Sequence, residues 1–198
     1  MSIETVYSIV FVLDESGSMR MMGDEPWQSI NMFVETQKKV GKFNFSLLFF
    51  NSDVRFIYKN LESDKIPVLK ADDYNPRGMT ALNDAIGQGI IYQKSQTLEN
   101  VIFVILTDGF ENSSKEFTSF LIKQMIEKME TLHEWKFIYL AANQDAFLSG
   151  KNIGISTAQT FDYNPKGLSG IMRCVSECVS RAISGETKIK DIKLLETQ

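Results

Sequence analysis

Three polar segments of the chain carry side-chain oxygens that could bind a cation. The first is Asp14-Glu15-Ser16-Gly17-Ser18, which directly follows an apolar run. Residues two apart in extended backbone point the same way, so Asp14, Ser16 and Ser18 can face one point. Gly17 lets the loop tighten around that point. Carboxylate and hydroxyl oxygens are hard ligands that select hard divalent cations, so the segment predicts a cation site.

The other two segments supply one oxygen each. Asp108, in Thr107-Asp108-Gly109, follows a second apolar run, and Thr80 stands just before a predicted helix. In open α/β sheets the ligand crevice lies beyond the carboxyl ends of the strands, where Asp14 and Asp108 both stand. Thr80 alone could be an ordinary helix N-cap. Its occurrence beside the two acidic segments favours a role as a cation ligand.

The elements that position these segments alternate between strands and helices. Apolar runs without polar alternation indicate strands buried on both faces, as in parallel sheets. Only Asn51-Ser52-Asp53 separates two of the strands, too few residues for a parallel crossover, so the second of them is antiparallel. The predicted strands are 8–13, 43–50, 54–58, 101–107, 137–142 and a short sixth at 161–163, and the predicted helices are 27–40, 81–92, 117–132 and 168–183.

This pattern predicts an α/β fold. The sheet is expected to be doubly wound and mostly parallel, with six strands, one antiparallel edge strand and helices on both faces. No repeat or linker divides the chain, so we expect one domain over 1–185 and a C-terminal tail of uncertain structure over 186–198.

Composition narrows the functional classes. The 198 residues include 21 Lys and Arg against 25 Asp and Glu, a net charge of −4, which disfavours a nucleic-acid partner. The longest apolar runs, 9–13 and 101–106, fall far short of the ~20 residues of a membrane-spanning helix. The first eight residues lack a basic segment typical of secretory signals. Two cysteines exclude a disulfide scaffold, so a cytoplasmic location is expected.

At these motifs the chain resembles the von Willebrand factor type A domain. The segment from Asp14 to Ser18 resembles that family's D-x-S-x-S motif, Thr80 its lone threonine and Asp108 its last carboxylate. The strings 107–114 and 142–146 are similar to those of cytosolic bacterial and phage type A domains. The resemblance covers residues 7–183 and includes all five positions of the metal-ion-dependent adhesion site.

The resemblance implies a set of roles for these residues. Ser16, Ser18 and Thr80 would contact Mg²⁺ directly, while Asp14 and Asp108 would act through water or by accepting hydrogen bonds from the serines. Mn²⁺ or Ca²⁺ could replace Mg²⁺. A protein ligand would then supply a carboxylate to the open position of the ion, so the resemblance implies protein binding rather than catalysis.

Several nearby residues have more than one interpretation. We expect Glu15 to be solvated or near the rim of the site. Asp84 is either an acid favoured by the helix dipole or a side chain that restrains the Thr80 loop. Asp145 is expected in a turn or cap. The methionines of the segment after Ser18 either form an adaptable contact surface around the ion or pack the loop: Met19, Met21 and Met22.

The remaining candidates are expected to carry no chemistry. His133 precedes a strand, at the end of the sheet opposite the site, and Cys174 and Cys178 read as buried or partly buried thiols. Two alternatives to the binding module stay open. One is a structural subunit of a larger assembly whose metal stabilises loops. The other is a Mg²⁺-dependent phosphohydrolase, against which Ser16 stands where aspartate-nucleophile phosphatases carry a second Asp.

Overall fold

The computed structural model describes residues 6–97, 99–141, 144–155, 160–162 and 167–187. Strands and helices alternate along the chain, joined by short loops and 3₁₀ turns. The strands are β1 (Tyr7–Asp14), β2 (Phe43–Phe50), β3 (Val54–Glu62), β4 (Val101–Thr107), β5 (Lys136–Ala141) and β6 (Thr160–Asp162). The helices are α1 (Glu25–Lys38), α2 (Leu82–Gln96), α3 (Ser119–His133), α4 (Gln144–Asn152) and α5 (Leu168–Ile183).

The strands form one mixed sheet in the order β3-β2-β1-β4-β5-β6. Every neighbouring pair is parallel except β2 and β3, which run antiparallel across the turn at 51–53. The predicted α/β class and the antiparallel edge strand are therefore confirmed. In this order the chain leaves β1 toward one edge and returns beside it with β4, so the carboxyl ends of β1 and β4 are adjacent.

Apolar side chains fill both faces of the sheet. Phe11 of β1 lies in one core with α1 and α5, where its ring meets that of Phe33 edge to face at 5.2 Å. Val12 points to the opposite core, which α2 and α3 cover. Because β1 is buried on both faces, its position is fixed and so is the loop that follows it.

The structure differs from the sequence predictions in two elements. Helix α4 was not predicted, since it is short and contains Ser149 and Gly150, which have low helix propensity. Helix α3 was predicted over 117–132 but begins at Ser119, because the Thr118 side chain accepts the N–H of Leu121 as the N-cap. On this helix Leu121 is 40% exposed and Ile126 is buried.

The structure also shows where the methionines after Ser18, the histidine and the cysteines lie. Met19 and Met22 are buried in the core, so loop packing is correct for them, whereas Met21 is exposed. His133 ends α3, ahead of the amino end of β5. Cys178 is buried and Cys174 half-buried.

Some predictions cannot be compared with the structure. The side chain of Asp145, the ends of two predicted strands at 142 and 163, and the tail from 188 lie outside the described residues. Within the described residues, no helix combines the length and the apolar character needed to span a bilayer.

Candidate metal centre

Asp14 anchors the motif loop at the carboxyl end of β1. Its side chain is fully buried, and one carboxylate oxygen, Oδ1, accepts a hydrogen bond of 2.7 Å from the backbone N–H of Ser16. The other, Oδ2, accepts one of 2.5 Å from the Thr107 hydroxyl on β4. Tyr74 donates to the Asp14 backbone carbonyl at 2.7 Å. With both oxygens engaged, Asp14 fixes the path of the loop.

The serines of the motif join Asp108 in one hydrogen-bonded chain. Ser18 Oγ donates to Asp108 Oδ1 at 2.6 Å, and Ser16 Oγ lies 3.1 Å from Ser18 Oγ. A hydroxyl has one hydrogen to donate, so Ser16 must be the donor to Ser18. Oxygens predicted from two separate segments are therefore within hydrogen-bonding distance of one another.

Thr80 borders the same space from the third segment. A Cβ atom placed on Gly109 would lie 3.5 Å from Thr80 Oγ1 and 3.9 Å from Ser18 Oγ, so both hydroxyls line the gap beside this glycine. Thr80 is 4% exposed, and its hydroxyl makes no hydrogen bond to any residue that the structure describes. The N-cap alternative is wrong, because α2 begins at Leu82 with Ala81 as its N-cap.

Asn112 holds the Thr80 backbone on both sides. Its side-chain oxygen accepts a hydrogen bond of 2.8 Å from the Thr80 N–H, and its own N–H donates to the Thr80 carbonyl at 3.0 Å. Asn112 was not among the predicted site residues. Its only sequence signal is the polar run after β4, which does not reveal a partner 32 positions away.

The loop before Thr80 is bonded to the motif loop. The N–H of Gly17 donates to the Gly78 carbonyl at 3.2 Å, and the N–H of Arg77 donates to the Glu15 carbonyl at 2.8 Å. Gly78 has a φ of +75°, and a Cβ there would come within 2.8 Å of Ser52 Oγ. Both features require glycine. These bonds keep the Thr80 segment beside the serines.

Glu15 is not solvated, so its expected place at the rim is wrong. Its side chain is 2% exposed and pairs with Arg55 Nη2 at 2.7 Å. Its Oε1 also accepts the N–H of Asn75 at 2.7 Å. Arg55 lies over the Phe49 ring at 5.1 Å. Glu15 thus ties the motif loop to the edge strand β3 and to the loop that leads to Thr80.

Asp84 restrains the loop after β4, and not the Thr80 loop that one of its two interpretations named. Its carboxylate accepts hydrogen bonds from three successive backbone N–H groups, those of Lys115, Glu116 and Phe117, at 2.7, 2.9 and 2.9 Å. Glu111, which lies in the loop after β4, in turn accepts the N–H of Asn83 in α2 at 2.7 Å. The loop that carries Asp108 is therefore fastened to the start of α2, next to Thr80.

The two carboxylates are poorly hydrated. Burial raises the pKa of Asp14 to about 7, although hydrogen bonds from Thr107 and Ser16 act in the opposite direction and the charge of Asp108 adds to the rise. Burial also raises the pKa of Asp108, while the Ser18 hydroxyl lowers it. A cation bound between these side chains would favour their ionised forms.

The donor set fits a hard divalent cation. It consists of hydroxyl and carboxylate oxygens, which suit Mg²⁺, Mn²⁺ or Ca²⁺ better than soft metals. No three His, Cys, Asp or Glu side chains gather as a metal site anywhere in the described ranges. The fit therefore rests on the three hydroxyls of Ser16, Ser18 and Thr80. Asp14 and Asp108 support the two serines by accepting hydrogen bonds from them.

Comparisons with known proteins agree on the fold. No family model and no curated protein matches the chain. Solved structures do match. One is the PilB minor pilin from Streptococcus sanguinis, with TM-score 0.66, 15% identity and coverage of 92% of this chain and 63% of that one. Another is a von Willebrand factor type A protein from Catenulispora acidiphila, with TM-score 0.63, 15% identity and coverage of 87% and 42%.

A third match is proximal thread matrix protein 1 from the mussel byssus, solved with a zinc-occupied metal-ion-dependent adhesion site. Its TM-score is 0.62, with 18% identity and coverage of 89% of this chain and 46% of that one. The chain thus spans less than two thirds of each of these solved proteins. At this identity the matches support a fold like that of von Willebrand factor type A domains.

Proposed function

We propose that the chain is a divalent-cation-dependent protein-binding module. The observation that carries the proposal is the hydrogen-bonded chain from Ser16 through Ser18 to Asp108, which lines the gap beside Gly109 together with the Thr80 hydroxyl. Three hydroxyls and a carboxylate from separate segments meet there without forming a core contact. A cation site accounts for this arrangement, because hydroxyl and carboxylate oxygens gathered from separate segments are the ligands that hard divalent cations prefer.

Each residue has a defined task in this proposal. Ser16, Ser18 and Thr80 hold the cation, Asp108 orients the Ser18 hydroxyl, and Asp14 keeps the motif loop in place. When bound, the cation supplies an electrophilic position that a partner's carboxylate can fill. Mg²⁺ is the proposed ion on grounds of availability, and Mn²⁺ or Ca²⁺ would suit the same hard oxygens. The zinc-occupied site of the mussel protein supports a divalent ion in general.

We favour binding over catalysis because the acid that ends β1 has no oxygen available to act as a base or nucleophile. Both carboxylate oxygens of Asp14 are engaged, by Ser16 and Thr107. His133 belongs to the end of α3 that leads into the amino end of β5, away from the motif loops. A phosphohydrolase would need an oriented nucleophile or base within hydrogen-bonding reach of its substrate.

The compartment is a separate proposal. We propose the cytoplasm, because two cysteines in 198 residues are too few for the disulfide framework that is typical of small secreted proteins. The likeness to a minor pilin makes the cell surface the alternative. Fractionation of producing cells would decide: recovery of the chain in the surface fraction contradicts the cytoplasmic proposal.

Thermal unfolding in Mg²⁺ tests the cation site. Bound ligand stabilises the fold by RT ln(1 + [Mg²⁺]/Kd), about 2.7 kcal/mol at a concentration of a hundred Kd. The parent should gain this stability, and Thr80→Val should lose the gain. Valine has nearly the shape of threonine, and the Thr80 hydroxyl bonds to no residue within the described ranges, so the variant should fold.

Two further variants make the result decisive. Asp14→Ala should also abolish the response, whereas Thr131→Val, on the exposed face of α3, should respond like the parent. If Thr80→Val and Asp14→Ala both respond to Mg²⁺ like the parent, the proposed cation site is wrong.

Affinity capture with and without EDTA separates the binding module from the structural subunit. A partner retained unchanged in EDTA supports the structural subunit instead of the binding module.

A further inference from the structure

The segments that form the candidate metal centre also carry five exposed side chains of two kinds. Two are arginines and three are apolar, and all lie within three positions of a proposed ligand or of its glycine neighbour. We call this set the site rim: Arg20, Met21, Arg77, Met79 and Phe110. Resting on the proposed function, we infer that the partner presents an acidic segment in which an apolar side chain accompanies at least two carboxylates.

Backbone contacts connect the loops of the site rim to those of the ligands. Met79 directly precedes Thr80, and its N–H donates to Ser52 Oγ at 3.0 Å. Phe110 follows Asp108 by two residues on the loop that Asn112 bonds to Thr80. Ser18 is exposed, so the hydrogen-bonded chain of hydroxyls opens to solvent on the side of these loops.

The apolar members of the rim are not used by either core. Met21 is 88% exposed, Met79 50% and Phe110 43%. The comparison with Met19 and Met22 is informative, because the same 3₁₀ turn buries both of them and directs Met21 outward. Exposed apolar groups beside a polar site are typical of binding surfaces, and methionine adapts to different partners.

The arginines carry free positive charge. The Nε atom of Arg20 donates to the Pro76 carbonyl at 2.9 Å, which holds this side chain on the loop before Thr80. Neither Arg20 nor Arg77 pairs with a carboxylate in the part of the chain that the structure describes. The acids that follow Arg20 have other partners, since Asp24 accepts Trp27 Nε1 and Glu25 accepts the Ser169 hydroxyl.

The positive charges of the arginines and of the proposed cation favour an acidic partner. A first carboxylate of the partner would reach the cation, and a guanidinium of the site rim would bind a second one through paired hydrogen bonds. An apolar side chain between them would cover Met79 or Phe110. A nucleic acid fits less well, because two arginines are few for a phosphate backbone and the chain as a whole has a net charge of −4.

Selection from a random peptide library displayed on phage, in Mg²⁺ and with EDTA elution, tests the inference. The parent should enrich peptides with two acids near an apolar residue. Enrichment of peptides with a single acid, of basic peptides or of none would overturn the inference. A labelled oligonucleotide of mixed sequence serves as the second probe, and Mg²⁺-dependent binding of it tighter than that of the peptides would also contradict the acidic segment.

Variants then assign the effect to the site rim. Arg20→Glu and Arg77→Glu should each weaken the enriched peptide about tenfold, a change of about 1.4 kcal/mol. Phe110→Ser should weaken it several-fold. The matched controls are Lys39→Glu, at the opposite end of the sheet, and Phe120→Ser, exposed on α3. Both controls should bind the peptide like the parent.

The two levels of the proposal fail in different ways. If Mg²⁺ does not stabilise the parent in thermal unfolding, the proposed function fails. If Mg²⁺ stabilises the parent and the rim variants alike, while those variants bind the enriched peptide unchanged, the cation site stands and the inference about the partner is wrong.

Discussion

Replacing Arg55 with methionine should destabilise the protein more than replacing Glu15 with glutamine. The two side chains form one ion pair of 2.7 Å, but the carboxylate is 2% exposed and the guanidinium 48% exposed. Arg55→Met leaves a buried charge whose remaining partners are the Asn75 N–H at 2.7 Å and a long contact of 3.5 Å from Asn51. Removing one partner of a buried ion pair costs about 3–5 kcal/mol.

Glu15→Gln removes the buried charge instead. Water can solvate the half-exposed Arg55, and the loss reduces to charged hydrogen bonds of about 1.5–3 kcal/mol. The double variant should be more stable than the sum of the two losses predicts, by about 1–3 kcal/mol, because it leaves no buried charge. The stability losses of the two substitutions are thus expected to be strongly non-additive.

Urea unfolding of the four proteins measures these differences from the midpoints, provided that the slopes agree. In thermal unfolding, each kcal/mol should lower the Tm by about 2–4 °C for a chain of this size. Arg181→Met is a suitable control, because Arg181 is exposed and 4.0 Å from Glu186, so its loss should be under about 1 kcal/mol. A smaller loss for Arg55→Met than for Glu15→Gln, or strict additivity, would refute the burial argument.

Three further results are expected. Asn112→Ala should weaken Mg²⁺ binding about tenfold in calorimetric titration, because Thr80 loses its backbone support; an unchanged Kd contradicts this role. Asp84→Asn should lower the free energy of unfolding by about 2–4 kcal/mol, since an amide group cannot accept all three N–H bonds; a loss below 1 kcal/mol argues against the restraint. Without metal, the raised pKa of Asp14 contributes stability that is full below its ordinary value of 3.8 and is lost as pH rises through about 7. Mg²⁺ should therefore stabilise the protein more at about pH 8 than at about pH 5, and equal stabilisation at both would contradict this expectation.

Sequence alone predicted the features of the site that are local. The motif from Asp14 to Ser18 is visible because the residue types and their spacing are contiguous, and the runs that became β1 and β4 are long and apolar. Their order in the sheet then follows from the doubly wound pattern. Asp14 and Asp108 could be placed together for this reason, although no sequence signal links them directly.

The supporting contacts were missed because they depend on distant partners. Glu15 was expected in solvent from the alternation of an extended chain, but the backbone turns into a 3₁₀ helix at Gly17 and Glu15 meets Arg55, 40 positions away. Asp84 similarly binds N–H groups more than 30 positions ahead. A residue's partner across such distances is set by the packed fold, which residue type and spacing do not encode.

Diffraction from crystals grown in Mn²⁺ tests the central claim most directly, because manganese scatters anomalously and suits the same hard oxygens as Mg²⁺. The account predicts one anomalous peak beside Gly109, about 2.2 Å from the hydroxyl oxygens of Ser16, Ser18 and Thr80. An empty site at saturating Mn²⁺, or a peak bound by other residues, would contradict it.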